Sequence, residues 1–171
     1  MVPDSGDVSA HRDRADQMTD DTFDAIAAKL AEHERALSEM YQQFARTFVE
    51  DADLWTGLSR DETRHAAWVE HMRHLVDVRA IEAPESPARR PAIDMAIQYA
   101  STLADRCRRG DMTRLQAHAL ARDVENGMLE RKLFTALGGA AREFKDLQDA
   151  LVLETTSHRD RIVQSLARLM A

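Results

Sequence analysis

Two glutamates and one histidine stand where leucine would fit the pattern of the chain. Glu34 interrupts one apolar stripe, and Glu62 with His65 interrupts the next. The stripes read Phe23, Ala27, Leu30, Glu34, Leu37, Tyr41, Phe44, Phe48 and Trp55, Leu58, Glu62, His65, Val69, Met72, Val76. Steps of three and four residues place each stripe on the buried face of a helix. Because burying an unpaired carboxylate is costly, these positions need a compensating charge, and a metal ion is the leading candidate.

Two later stripes carry the same residue types. Glu154 and His158 lie four residues apart in the stripe Phe144, Leu147, Leu151, Glu154, His158, Ile162, Ser165, Leu169. Glu125 lies in the stripe Leu115, His118, Ala121, Glu125, Leu129, Lys132, Ala136. Four helices therefore contribute six candidate metal ligands, which are Glu34, Glu62, His65, Glu125, Glu154 and His158. Carboxylates and imidazoles in this number suit two divalent ions, either iron or manganese.

The elements that must position these residues are all helical. Caps, prolines and glycines predict a first helix over 19–49, a tight turn over 50–53, a second helix over 53–80, a shorter helix over 91–109, and two more over 113–137 and 140–170. The shorter helix is long enough to return the chain to the starting end of the first hairpin. We therefore expect an all-α four-helix bundle of two antiparallel hairpins with an additional crossover helix.

Composition narrows the classes of function. The chain of 171 residues can form one domain over 19–171, whereas residues 1–18 have almost no large apolar side chains and are predicted to form a disordered arm. A net charge of −7 without a basic run argues against nucleic acid as a partner. We find neither a membrane-spanning stretch nor a signal peptide, so we expect a cytoplasmic protein that does not bind membranes. The single cysteine, Cys107, excludes an intrachain disulfide and a four-cysteine iron site.

Each candidate also has a purely structural interpretation. Glu34 alone could be a carboxylate at the edge of the core that pairs with an arginine, and either histidine alone could be a hydrogen-bonded core residue. Tyr41 is either a core residue or a side chain that hydrogen-bonds a metal ligand or acts as its redox neighbour. Among the other histidines, His33, His71 and His74 are expected in solvent. His118 is a weak candidate for a position next to the ligands.

Taken together, these residues resemble the rubrerythrin branch of the ferritin-like superfamily. The matching residues are Glu34 with Tyr41, the segment Glu62-Thr-Arg-His65, Glu125, and the segment from Glu154 to His158. The resemblance implies a four-helix bundle with a di-iron site that reacts with hydrogen peroxide or dioxygen and takes electrons from an external donor. Glu62 and Glu125 would bridge the ions, Glu34 and Glu154 would be terminal ligands, and each histidine would bind one ion. We expect a homodimer.

The chain differs from the family pattern at two positions. Thr155 stands three residues before His158, where the family has a second Glu-x-x-His motif, so either Glu154 rotates into the site or the second metal position is weakened. Met128 stands where peroxidase members have a further glutamate. The function expected from the sequence is a di-iron peroxidase or ferroxidase, and the alternative is a metal-free bundle that serves assembly or partner binding.

Overall fold

The computed structural model of the chain describes residues 6–75, 89–130 and 141–171, with side chains from Asp24 onward apart from positions 89 and 130. Its elements are α1 (Gly6–Thr47), a short 3-10 turn (Val49–Asp51), α2 (Ala52–Leu75), α3 (Arg89–Arg108), α4 (Arg114–Glu130) and α5 (Arg142–Met170). No strand occurs in these ranges, which confirms the predicted all-α class. None of these helices is long and apolar enough to cross a bilayer.

The first two helices form an antiparallel hairpin. Ser38 of α1 donates a hydrogen bond to the carbonyl oxygen of Ser59 at 2.9 Å, and Arg73 near the end of α2 reaches back to Asp24 at 2.6 Å. The predicted interior stripes are buried along both helices over the described side chains, from Ala27 to Phe48 and from Trp55 to Met72. Phe23 and Val76, the outermost residues of the two stripes, lie outside the described side chains.

The third helix has the predicted length but not the predicted destination: it carries the chain from the starting end of the hairpin to the end where α2 begins, because the chain is already at the starting end when α2 finishes. It runs parallel to α1, because Lys29 contacts Asp94 at 3.1 Å and Gln43 accepts a weak bond from Cys107 at 4.0 Å. The sequence predicts an apolar face of Ile93, Ile97, Ala100, Leu103 or Ala104, and Cys107. All of these side chains are buried except Ile97, which is half-buried. Gly110 ends the helix with a φ of 78° and donates a bond to the Cys107 carbonyl oxygen at 3.0 Å, which confirms the predicted cap.

The last two helices also run antiparallel. Thr113 and Gln116 exchange hydrogen bonds of 2.9 and 3.2 Å that cap the start of α4, as the sequence predicted. His118 of α4 lies 3.1 Å from the hydroxyl oxygen of Ser165, while Glu125, further along α4, approaches His158, which comes earlier in α5. The predicted stop at Gly138 and Gly139 lies outside the described residues.

Two sequence predictions about boundaries and faces are wrong. The first helix begins at Gly6 rather than after Thr19, because beyond Pro3 no proline interrupts the segment and its alanines, arginines and aspartates tolerate a helical backbone. The division into an arm and a domain stays a prediction. In α4, Leu115 is about half exposed and Met128 is buried instead of Leu129, so the buried face is rotated slightly from the predicted stripe.

An ion pair links the 3-10 turn between α1 and α2 to α4. The Asp51 carboxylate accepts bonds of 2.5 and 2.7 Å from the Arg114 guanidinium. These bonds hold the pKa of Asp51 below its ordinary value, although burial opposes the shift.

We expect Asp51→Asn to lower the melting temperature at pH 7 and to lower it less near pH 3. A depressed folded-state pKa contributes stability above the unfolded-state pKa of about 3.9, and this contribution is lost as the pH falls through the folded value. Thermal melts across this range test the expectation, with the exposed Asp149→Asn as control. An equal loss at both pH values would show that the charge of Asp51 does not stabilise the fold.

Candidate metal centre

Five of the six predicted ligands meet in the interior of the bundle. Glu34 comes from α1, Glu62 and His65 from α2, Glu125 from α4 and His158 from α5, and each is at most 2% exposed. Glu62 and His65 are one turn apart, so both side chains leave the same face of α2. Three carboxylates and two imidazoles are therefore buried together, on the same helix faces as the leucine and aromatic side chains of the core.

Glu62 lies at the centre of this cluster. Its Oε2 is 2.9 Å from His65 Nδ1, and its Oε1 is 2.9 Å from His158 Nδ1. One ligand atom from each of these three residues lies within 4.8 Å of the others, which is a spacing that a metal ion could occupy. The two imidazole rings stack with their centroids 5.2 Å apart. One carboxylate thus faces the Nδ1 atoms of two histidines that come from different helices.

Glu34 and Glu125 flank the central glutamate in similar ways. Glu34 Oε2 is 3.7 Å from His65 Nδ1, and Glu125 Oε1 is 3.8 Å from His158 Nδ1. Glu34 Oε2 and Glu125 Oε2 are fully buried and have no hydrogen-bond partner among the described residues. Buried polar atoms in native proteins are normally satisfied. Two unsatisfied carboxylate oxygens beside two imidazoles fit the donor set of a metal ion that binds oxygen and nitrogen.

Tyr41 contacts the cluster directly. Its hydroxyl group donates a hydrogen bond of 2.6 Å to Glu125 Oε1, so the prediction that it bonds a candidate ligand is confirmed for this contact. Tyr41 is fully buried and stacks on Trp55 at 5.8 Å. Burial and the negative charges of Glu125 and Glu62 raise the pKa of Tyr41 well above its ordinary value. Its hydroxyl therefore remains a hydrogen-bond donor at neutral pH.

The outward side of each imidazole faces another carboxylate. His65 Nε2 is 2.9 Å from Glu154 Oε2, and His158 Nε2 is 3.3 Å from Asp61 Oδ2. Arg64 bonds the same Glu154 oxygen, and Arg161 bonds Asp61 at 3.2 Å. Carboxylates in this position orient a histidine and fix which of its nitrogens carries the proton when the other binds a metal.

The structure therefore places Glu154 differently from the expected terminal ligand. Its side chain is 31% exposed and contacts the outer nitrogen of His65, while Thr155 occupies the interior position of α5. The Thr155 hydroxyl donates a bond of 2.9 Å to the Leu151 carbonyl oxygen. Since this bond satisfies the hydroxyl within the helix, threonine can be buried here at little cost, and the longer charged side chain faces Arg64 instead.

Burial and neighbouring charges shift the pKa values of three residues of the cluster. Burial opposes a charge on His65, but the Glu34 and Glu62 carboxylates raise its pKa to about 11. Burial also opposes ionisation of Glu62, yet its bonds with His158 and His65 hold its pKa below the usual range. For Glu125, burial and the negative charge of Glu62 raise the pKa well above the ordinary value. Protons thus balance the buried carboxylates, and a divalent cation could replace them, because metal ligands bind in their deprotonated forms.

Two histidines lie in surroundings other than those predicted, and one aspartate near the cluster was not predicted. His33 was expected in solvent but is 2% exposed, and its Nδ1 lies 3.1 Å from Glu34 Oε1. The signal was present, because His33 comes three residues after Leu30 and four before Leu37. His118, expected near the ligands, bonds the Arg114 carbonyl oxygen at 2.9 Å instead. Asp61 was missed because only its contact with α5 gives it a role.

Neither a protein-family model, nor a curated protein, nor a solved structure matches the chain. The function of the protein is therefore inferred from the geometry of the cluster alone.

Proposed function

We propose that the protein is a dinuclear metal protein of the ferritin-like type, an oxidoreductase in which hydrogen peroxide or dioxygen is reduced at two iron ions. Manganese suits the same ligands. The single observation that carries the proposal is the central carboxylate of Glu62, which faces the Nδ1 atoms of His65 and His158 at 2.9 Å each. Around it, two further buried carboxylates each keep an oxygen without a partner.

The contacts support one set of ligands for each ion. Glu34, Glu62 and His65 would hold one ion, and Glu62, Glu125 and His158 would hold the other. Each set would contain one flanking carboxylate, Glu62 and one imidazole. Ferrous iron, when bound, would supply the electrons for reduction of the oxidant, and an external donor would restore them.

The protein's own residues would control the geometry and the solvent. Tyr41 fixes the Glu125 carboxylate by its short hydrogen bond, which limits that ligand to one orientation. Glu154 and Asp61 hold the outer nitrogens of the two histidines, so that both Nδ1 atoms stay directed at the carboxylates. The buried aromatic residues Phe44 and Trp55 beside Tyr41 exclude bulk water from this side of the cluster.

The helix directions support the ferritin-like part of the proposal. Antiparallel hairpins of α1 with α2 and of α4 with α5 are joined by α3, which runs parallel to α1 and delivers α4 at the end where α2 begins. The cluster takes ligands from α1, α2, α4 and α5 and none from α3. This division between four ligand helices and one connecting helix is compatible with a di-iron carboxylate bundle.

A metal-free bundle remains the second candidate, and two observations favour it. The raised pKa values of His65 and Glu125 allow protons alone to balance the buried carboxylates. In addition, Thr155 leaves α5 without an interior carboxylate next to His158. In that case the chain would act in assembly or partner binding.

Metal content distinguishes the two candidates. We expect the protein, purified without a chelating tag and loaded with Fe(II) under anaerobic conditions, to bind close to two ions per chain, because two imidazoles and three carboxylates exceed the needs of one ion. Elemental analysis measures the stoichiometry, and absorption spectra before and after peroxide follow oxidation. A value near zero would refute the proposal, and a value near one would indicate that Thr155 has removed one position.

We expect Glu154→Gln to keep both ions and to weaken metal affinity by about 10- to 100-fold, as is typical when a carboxylate that orients a metal-binding histidine is lost. The reason is its contact with His65 Nε2 rather than with the other carboxylates. Thr155→Val is the control and should leave metal content and affinity unchanged. Competition titrations with a chromophoric chelator measure both. Loss of one ion in Glu154→Gln would restore Glu154 as a terminal ligand.

A further inference from the structure

A cavity of about 320 Å³ lies between α1, α3 and α4 on the side of the bundle away from α2 and α5. Met95 and Tyr99 of α3 line its outer part, where they are 59% and 44% exposed. His33 of α1 lines its inner part and is only 2% exposed. Within the part of the chain that the structure describes, the cavity therefore leads from the surface of the protein toward its interior.

The inner part of the cavity adjoins the carboxylate cluster. His33 Nδ1 lies 3.1 Å from Glu34 Oε1, so a single side chain separates the cavity from one proposed ligand. On α4, Val124 and Met128 line the cavity and lie directly before and one turn after Glu125, the ligand on the opposite side of the cluster. Residues adjacent to both flanking carboxylates thus line the same space.

The chemistry of the walls selects what can enter. Most of the side chains that line the cavity are apolar, namely those of Met95, Ala96, Val124 and Met128, and the one carboxylate is Asp123. Apolar walls disfavour any ion, and the charge of Asp123 is paired with Arg122 at 2.7 Å. A water molecule occupies about 30 Å³ in the liquid, so the volume is ample for molecules of two to four atoms.

We propose that this cavity is the route by which the small uncharged oxidant, hydrogen peroxide or dioxygen, reaches the metal cluster. The inference rests on the proposed function, and it adds the path and the charge class of the reactant. Gly127 of α4 and Ala96 of α3 are the two smallest residues of the lining. A Cβ atom at Gly127 would meet nothing within 4 Å, so the first atom of a larger side chain fits there without a clash.

The test fills the cavity and measures two properties. Gly127→Leu and Ala96→Leu add bulk inside it, and Ala167→Leu makes the same change as Ala96→Leu at an exposed position of α5. First, amide NMR spectra of the metal-free proteins are recorded under xenon pressure, because xenon binds dry apolar cavities. We expect saturable shifts at Ala96, Val124 and Gly127 in the parent, which persist in Ala167→Leu and disappear in Gly127→Leu.

Second, iron content and the rate of Fe(II) oxidation by peroxide and by dioxygen are measured for each variant. We expect equal iron content throughout, and in Gly127→Leu a rate lower by about tenfold or more, a rise in the barrier of about 1.4 kcal/mol. Ala96→Leu should be slowed less, and Ala167→Leu should match the parent. Full iron content with equal rates, or no xenon in the parent cavity, would overturn the route alone. Absence of iron from the parent protein would overturn the route and the proposed function together.

Discussion

Replacement of Glu62 by glutamine is expected to reduce the metal content from two ions per chain to nearly none. Among the described residues, Glu62 is the one carboxylate that approaches both imidazoles, with distances of 2.9 Å on each side. An amide offers a single neutral oxygen, so it cannot bridge two cations, and both proposed sites lose a ligand at once. Glu125→Gln should also impair binding, because this carboxylate belongs to the second site and keeps a buried oxygen without a partner.

The same two substitutions should have opposite effects on the metal-free protein. The folded state depresses the pKa of Glu62, so its negative charge stabilises the fold above the unfolded-state pKa, and Glu62→Gln should lower the melting temperature at pH 7. The folded state raises the pKa of Glu125, so its ionised form is unfavourable, and Glu125→Gln should leave the melting temperature equal or higher. Tyr41 can still donate its hydrogen bond to an amide oxygen at position 125.

Elemental analysis after anaerobic Fe(II) loading, combined with thermal melts of the metal-free forms, tests both statements. Glu39→Gln is the control, since Glu39 is exposed on α1 and lies outside the cluster. Two ions retained in Glu62→Gln would contradict the assignment of Glu62 as the shared ligand. If instead both variants lost metal and both were strongly destabilised, the carboxylates would be structural residues that affect metal binding only through the fold.

Most of the fold could be predicted because its signals are local. Steps of three and four residues define which side of a helix is buried, whatever it packs against, and this places Glu34, Glu62 and Glu125 inside. Gly110 and Thr113 mark a helix end and a helix start by backbone chemistry that needs no distant partner. The length of α3 predicted that it spans the bundle, but the predicted return to the starting end of the first hairpin was wrong, since the hairpin itself already ends there.

The details that were predicted wrongly depend on contacts between distant helices. Positions 154 and 155 are offset from His158 by about 40° and 60° in opposite directions around α5, so periodicity could not decide which faces inward. Glu154 faces outward because Arg64 of α2 bonds it on the outside of the bundle. Asp61 likewise acquires its role only through its contact with His158 of α5.

Leu58→Ala is expected to lower the free energy of unfolding by about 2–5 kcal/mol, the range for removing a large aliphatic side chain from a core that relaxes only partly. Leu58 is fully buried one turn before Glu62 on the same face of α2. It has no ligand atom, so the variant should still bind two ions at temperatures where it is folded. Leu153→Ala is the matched control, because Leu153 is 71% exposed and its loss should change stability little.

Denaturant unfolding of the metal-free proteins gives the change in stability, and iron loading of the folded variants gives the stoichiometry. Stability and metal content should separate completely: Leu58→Ala loses stability and keeps metal, whereas Glu125→Gln loses metal and keeps stability. If Leu58→Ala lost its iron while still folded, the position of α2 would be coupled to the packing of a single leucine. The geometry of Glu62 and His65 would then depend on the core beneath them rather than on the helix that carries them.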